Sequence, residues 1–246
     1  MKIAIKQQPS RCLLLATLGA AMSLTFGMST ARGDLLFSDS FQYPVGSLSG
    51  DGPPAGSPPG QTGWTRVLPG DPQVMLSGLR YRHVFSAPGA AVFSDIGTFG
   101  DEAVANLSFV HRGIVWIGFL IRNLNAATSG YAVLGVGYSF SGYGLISNSF
   151  VYGIDNNNGQ RALTPFSPST TAADWLVVKL DFHTLTQSLY VNPTPGPIEP
   201  PVPDATLTMP FFSLDMIRIN VGNNDGSYAF DEVRIATTFK EIGSAQ

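Results

Sequence analysis

The chain has 246 residues, 44% hydrophobic, 11% aromatic and only 13% charged, with 27 glycines, one cysteine and a formal net charge of −3. So few charges among so many glycines and aromatics favour strands and turns over helices. A nucleic-acid ligand needs a basic patch, which this balance excludes, and it excludes an anionic membrane surface on the same ground.

The first 33 residues read as a secretory signal peptide: a basic head (Lys2, Lys6, Arg11), an apolar run from Leu13 to Met28, and small residues before cleavage after Gly33, with Ala31 as the alternative point. The apolar run is too short for a membrane span. Cleavage removes Cys12 and the bases Lys2, Lys6, Arg11 and Arg32, so fourteen bases become ten against seventeen acids, a net charge of −7. The mature chain then has no cysteine in a compartment that permits disulfides, and its stability must come from its core. Arg32-Gly33-Asp34 straddles the cleavage point and is read as chance. Residues 34–246 suit one secreted, monomeric all-β domain.

In chain order, Leu35 to Phe41 is the first strand, followed by a loop from Pro44 to Gly60 in which glycine and proline dominate. Gly63–Leu68, Gln73–Tyr81 and Ala90–Gly97 are short strands, and Ala103–Arg112 alternates weakly. Ile114 to Ile121 is apolar on both faces, as a central strand covered on both sides should be. Tyr131–Phe140 and Leu145–Ile154 are glycine- and aromatic-rich strands, and Asp155-Asn156-Asn157-Asn158-Gly159 is a turn. Trp175 to His183 alternates most clearly and forms a hairpin with Gln187–Val191. Asn192 to Asp204 is proline-studded; its stretch from Pro193 to Pro203 reads as a stiff loop, with docking of a partner as the alternative. Phe211–Val221 and Tyr228–Thr238 close the chain, and no stretch has a helical period or a fixed repeat. The pattern predicts a two-sheet antiparallel β-sandwich, a jelly roll with its first and last strands adjacent. Its core should include Phe37, Phe41, Trp116, Leu176, Val178, Leu180, Phe182, Ile217, Ile219, Val233 and Ile235.

Three stretches carry a resemblance. Phe37-x-Asp39-x-Phe41-x-Tyr43-x-x-Gly46-x-Leu48 with Gly63-Trp64, then Tyr190-Val191-Asn192-Pro193, then Phe230-Asp231-Glu232-Val233-Arg234-Ile235-Ala236-Thr237-Thr238 resemble secreted bacterial LamG-like domains of the concanavalin A-like group. The resemblance covers nearly all of residues 35–242 and implies a concanavalin A-like jelly roll that binds glycans, proteins or calcium. Many such proteins carry a hydrophobic sorting tail; none follows here, so anchoring by that route is not expected.

Catalysis finds no constellation. Glucan-cutting members of the group carry a Glu-x-Asp-x-x-Glu strand, and none of Glu102, Glu199, Glu232 and Glu241 sits in one. His83, His111 and His183 are isolated, and no Gly-x-Ser-x-Gly elbow is present. A polysaccharide-active enzyme with unrecognised acids is the alternative reading. Strand alternation aligns Asp39 with Leu35, Phe37 and Phe41, and Asp231 with Ala229, Val233 and Ile235, so both acids should be buried and partnered. The partner is either a structural calcium shared by Asp39 and Asp231, with Asp215 as a third acid, or turn N–H groups. Glu232 and Arg234 fall on the opposite, exposed face. A glycan site is expected at Tyr138, Tyr143 and Tyr152 with Asn148, Asn157 and Arg161: flat rings for sugar C–H faces, amides for hydroxyls. Phe140, Phe150, Asn156 and Asn158 lie nearby, and Gly135, Gly137, Gly142 and Gly144 either open a groove or permit bulges. The sequence thus predicts a secreted, non-catalytic binding or structural module for glycans or extracellular matrix.

Overall fold

A computed structural model describes residues 33–244, apart from 51, 54–55, 83, 86–87, 95–99, 111, 126–129, 138–140, 147–148, 211–213 and 223–225. The signal-peptide expectation, and those for Tyr138, Asn148, His83 and His111, lie outside the described residues. The strands are β1 (Leu35–Asp39), β2 (Gly46–Ser47), β3 (Thr65–Arg66), β4 (Gln73–Met75), β5 (Arg80–Tyr81), β6 (Val84–Phe85), β7 (Ala90–Ser94), β8 (Asp101–Val110) and β9 (Ile114–Asn123). They continue with β10 (Tyr131–Val136), β11 (Ser141–Leu145), β12 (Tyr152–Asp155), β13 (Arg161–Leu163), β14 (Asp174–Asp181), β15 (Thr186–Val191), β16 (Ala205–Thr208), β17 (Leu214–Gly222) and β18 (Ser227–Ala236). A short helix, α1 (Phe239–Gly243), follows.

The strands make two antiparallel sheets. One has nine strands, in the order β16-β15-β14-β9-β18-β7-β4-β2 with β1 also on β18; the other has seven, in the order β13-β12-β11-β10-β17-β8-β3. The hairpin β5–β6 stands apart. The first and last strands pair as expected, Phe37 opposite Ile235 and Asp39 opposite Val233.

Alternation explains the layers. On β9, Val115, Ile117, Phe119 and Ile121 enter the core between the sheets with Leu176, Val178 and Leu180 of β14 and Ile217 and Ile219 of β17. The other face of β9 carries Trp116 and Leu120, which pack with Trp175, Val177 and Tyr190 under α1, where Phe239 meets Trp116 at 5.2 Å and Trp175 at 6.0 Å. That second layer is why β9 is apolar throughout. Trp116 therefore belongs to the outer layer rather than to the inner core, and Phe182 is only partly buried against the inner one.

The expected strand Gln73–Tyr81 divides into β4 and β5, which belong to different sheets, and two more expectations change. Leu145 to Ile154 is not one strand: β11 ends at Leu145 and β12 begins at Tyr152, because the hydroxyl of Ser149 donates to the carbonyl of Ile146 and folds the chain into a turn. On β18 the alternation breaks at a bulge. Asp231 lies opposite Leu120 of β9 but Arg234 opposite Gly118, so two residues face one, and Glu232 has φ +49°. The extra residue inverts the phase. Tyr228, Phe230, Val233 and Ile235 all enter the inner core, while Ala229 and Ala236 belong to the outer layer.

Candidate functional site

The aspartates come first, because alignment with core residues singles them out. Asp39 lies on the inner face. Its Oδ2 accepts from the Tyr43 hydroxyl at 2.6 Å and from Trp64 Nε1 at 2.7 Å, and its Oδ1 from the Phe41 N–H at 2.7 Å. Phe41 stacks on Trp64 at 5.7 Å and Phe37 meets it edge-on at 6.1 Å. The Phe-x-Asp-x-Phe-x-Tyr and Gly-Trp signature is thus a clasp that closes the loop between β1 and β3 onto the core. Burial raises the Asp39 carboxyl above its ordinary 3.8, against the lowering effect of bonds from Tyr43, Phe41 and Trp64.

Asp231 is fully buried on the other side of its sheet, where its carboxylate accepts from the N–H of Leu79 and of Glu232, both at 2.7 Å. The bulge put it there. Asp39 and Asp231 therefore sit on opposite faces and cannot share one calcium ion; N–H and O–H donors hold Asp39 and backbone N–H donors hold Asp231. Asp215 lies on β17 of the seven-stranded sheet, beside a second irregularity where β17 shifts register against β8 between Leu214 and Met216, whereas Asp39 and Asp231 lie on β1 and β18 of the nine-stranded sheet. Among the described residues no group of three or more His, Cys, Asp or Glu is placed to hold a metal. The exposed face expected for Glu232 and Arg234 is also corrected. Both are about 95% buried, they pair with each other, and Arg234 Nη1 donates to the carbonyl of Ser244 at 2.7 Å, tying down the C-terminus of α1.

The expected glycan rings fare differently. Tyr143 and Tyr152 are fully buried between the sheets. The Tyr143 hydroxyl donates to Gln187 Oε1 at 2.7 Å, and that of Tyr152 to Asp174 Oδ2 at 2.8 Å. Neither can offer a ring face to a ligand; both hold their hydroxyls as core tyrosines must. Asn156, a neighbour in that cluster, is also buried and bonds Ser141, Gln187 and the Thr208 carbonyl. Asn157 is exposed in its turn, with its N–H bonded to Asp155 Oδ1 at 2.8 Å. Arg161 reaches solvent and pairs with Asp155, Nε to Oδ2 at 2.9 Å.

Asp155 and Arg161 open the more informative surface. Strand register puts Arg161, Asp155, Gly142, Gly135, Arg218 and Val104 in one row across the seven-stranded sheet. The next row is Leu163, Gly153, Gly144, Val133, Asn220 and Glu102. Both rows alternate with inward residues and so share the outer face. At the far end from Arg161, Glu102 accepts from Arg218 Nη1 at 3.1 Å and from Asn220 Nδ2 at 2.7 Å. Between the two groups Tyr131 packs on Val133 and Ile146. Burial raises its phenol, and the nearby Asp155 adds to that, so it stays a neutral donor. The glycines leave room for side chains: a Cβ on Gly153 would come within 2.9 Å of Leu163 and 3.1 Å of Ile146. This face therefore offers two guanidinium–carboxylate pairs, an amide and a phenol, matched in charge and donor-rich. Sequence reasoning found Arg161 but missed Glu102, Tyr131, Arg218 and Asn220. Only pairing across more than a hundred residues brings Glu102 to Arg218 and Asn220.

No protein-family profile matches the sequence, and no curated protein does. Solved structures do. An endo-1,3-beta-glucanase from Streptomyces sioyaensis aligns with TM-score 0.50 at 9% identity, over 84% of this chain and 96% of its own. The T. cruzi calreticulin globular domain gives 0.49 at 10%, over 70% and 83%. A glycosyl hydrolase family 16 protein from Mycobacterium smegmatis gives 0.48 at 15%, over 82% and 100%. At such identities the likeness is one of fold. The fold is a two-sheet antiparallel jelly roll.

Proposed function

We propose that this chain is an exported, non-catalytic module that binds carbohydrate across the outer face of its seven-stranded sheet. The observation that carries the reading is the polar array on that face, with Glu102, Arg218 and Asn220 at one end, Asp155 and Arg161 at the other, and Tyr131 between. Sugar hydroxyls need both donors and acceptors at fixed positions, and this set supplies both with no net charge. The wider group's two functions, lectin binding and glucan cleavage, divide on the carboxylates. Glu102 on β8 and Asp155 on β12 are four strand steps apart, roughly 19 Å at strand spacing. Acid–base pairs of glycosidases are separated by about 5–10 Å. That spacing favours binding over turnover.

A printed glycan array and a hydrolysis screen on the same purified protein test the proposal. Binding without turnover is the expected result, weakened by Arg161→Ala and by Asn220→Ala. Turnover abolished by a single substitution such as Glu102→Gln would replace the module with an enzyme.

A further inference from the structure

Among the described residues, seven other than glycine have positive φ: Phe41, Arg82, Phe150, Asn157, Leu185, Asn192 and Glu232. Asparagine adopts this region readily, but for a bulky side chain it is strained. Three of the seven are bulky and apolar. Phe41 is fully buried and Leu185 is packed against the same core, so packing holds each in place. Phe150 differs, with φ +59° and 51% of its surface exposed. It combines backbone strain with an apolar ring left half in water.

Its neighbours are also exposed. Leu163 is 49% and Phe166 43% accessible. The Tyr152 N–H donates to the Phe166 carbonyl at 2.8 Å, and Leu163 pairs with Gly153, so both lie beside the start of β12, two residues from Phe150. Leu163 shares the outer face with Arg161, two positions back on β13. The apolar edge therefore continues the polar array at its Asp155–Arg161 end. Exposed apolar surface rimmed by polar groups marks a binding site.

We propose that Phe150, Leu163 and Phe166 form an apolar subsite that stacks on the C–H face of a neutral sugar ring whose hydroxyls reach Arg161. This rests on the carbohydrate reading above and extends it to a ligand class. The sugar is neutral because Asp155 already balances Arg161, and among the described residues of this edge Arg161 is the cation. The strained turn at Phe150 is retained because it holds the ring outward.

An array of neutral and uronic-acid glycans, probed with the wild-type protein and with Phe150→Gly and Phe166→Ala, tests this alongside thermal melts. Phe150→Gly should bind neutral glycans about tenfold more weakly, as loss of a stacking ring implies. Its melting temperature should hold or rise, because glycine adopts the same φ without strain. Phe166→Ala should lose binding similarly. The subsite is wrong if both variants bind like wild type, which is also what a protein-docking patch would give. It is wrong as well if Phe150→Gly melts lower, which would make Phe150 a packing residue, or if uronic-acid glycans bind best. A wild type that binds no glycan refutes the carbohydrate reading itself, a result distinct from all of these.

Discussion

Replacing Asp231 with alanine tests the bulge on which the outer layer depends. The carboxylate is fully buried and accepts the N–H groups of Leu79, 152 residues away in sequence, and of Glu232. Alanine leaves both donors without that acceptor in a layer closed by α1. An unsatisfied buried donor costs roughly 1–3 kcal/mol, and the two together set a range of about 2–6 kcal/mol. Removing a buried charge returns part of its desolvation, so a net loss near 3 kcal/mol is expected. For a domain of this size that corresponds to a fall of roughly 6–12 °C in Tm. Urea unfolding with an unchanged m-value, beside a thermal melt, measures it. Glu232→Ala belongs in the same experiment. Its partner Arg234 is buried, and breaking a buried pair costs about 3–5 kcal/mol, so it should be as damaging as Asp231→Ala rather than silent. A loss below about 1 kcal/mol for Asp231→Ala would refute the argument, since two buried N–H groups cannot be abandoned that cheaply.

Asp39 gives a pH dependence of defined sign. Its folded value lies above 3.8 because desolvation outweighs its hydrogen bonds, so the folded state holds the proton more tightly. The stability this contributes is full below pH 3.8 and is lost as pH rises through the higher folded value. The Tm of wild type minus that of Asp39→Asn should therefore fall with rising pH in that window, and a difference independent of pH would contradict it. Gly144→Ala should be among the most damaging single changes. Gly144 has φ +148° and an added Cβ would stand 2.2 Å from the Ala132 carbonyl oxygen, so a loss of roughly 3 kcal/mol or more is expected in urea unfolding.

The sequence alone determined the class of this fold. Period-two alternation on β14, a doubly apolar β9 and turn residues between short strands point to a two-layer sandwich, because each pattern reports how one strand meets its own two faces. Pairing of β1 with β18 was legible too, through the apolar faces that both termini carry. What alternation cannot register is an extra residue. The bulge at Asp231–Glu232 reversed the faces of half of β18, sent Asp231 to the outer layer and buried Glu232 and Arg234, all without any mark in the composition. Aromatic residues were equally ambiguous one at a time: Tyr143 and Tyr152 look like Phe150 in sequence, yet two fill the core and the third stands in solvent. The polar array joins β8, β10, β12, β13 and β17, and the register that aligns Glu102 with Asn220 and Arg161 with Asp155 is a property of the assembled sheet. Local patterning sets what a strand is; only non-local hydrogen bonding decides which side chains it places together.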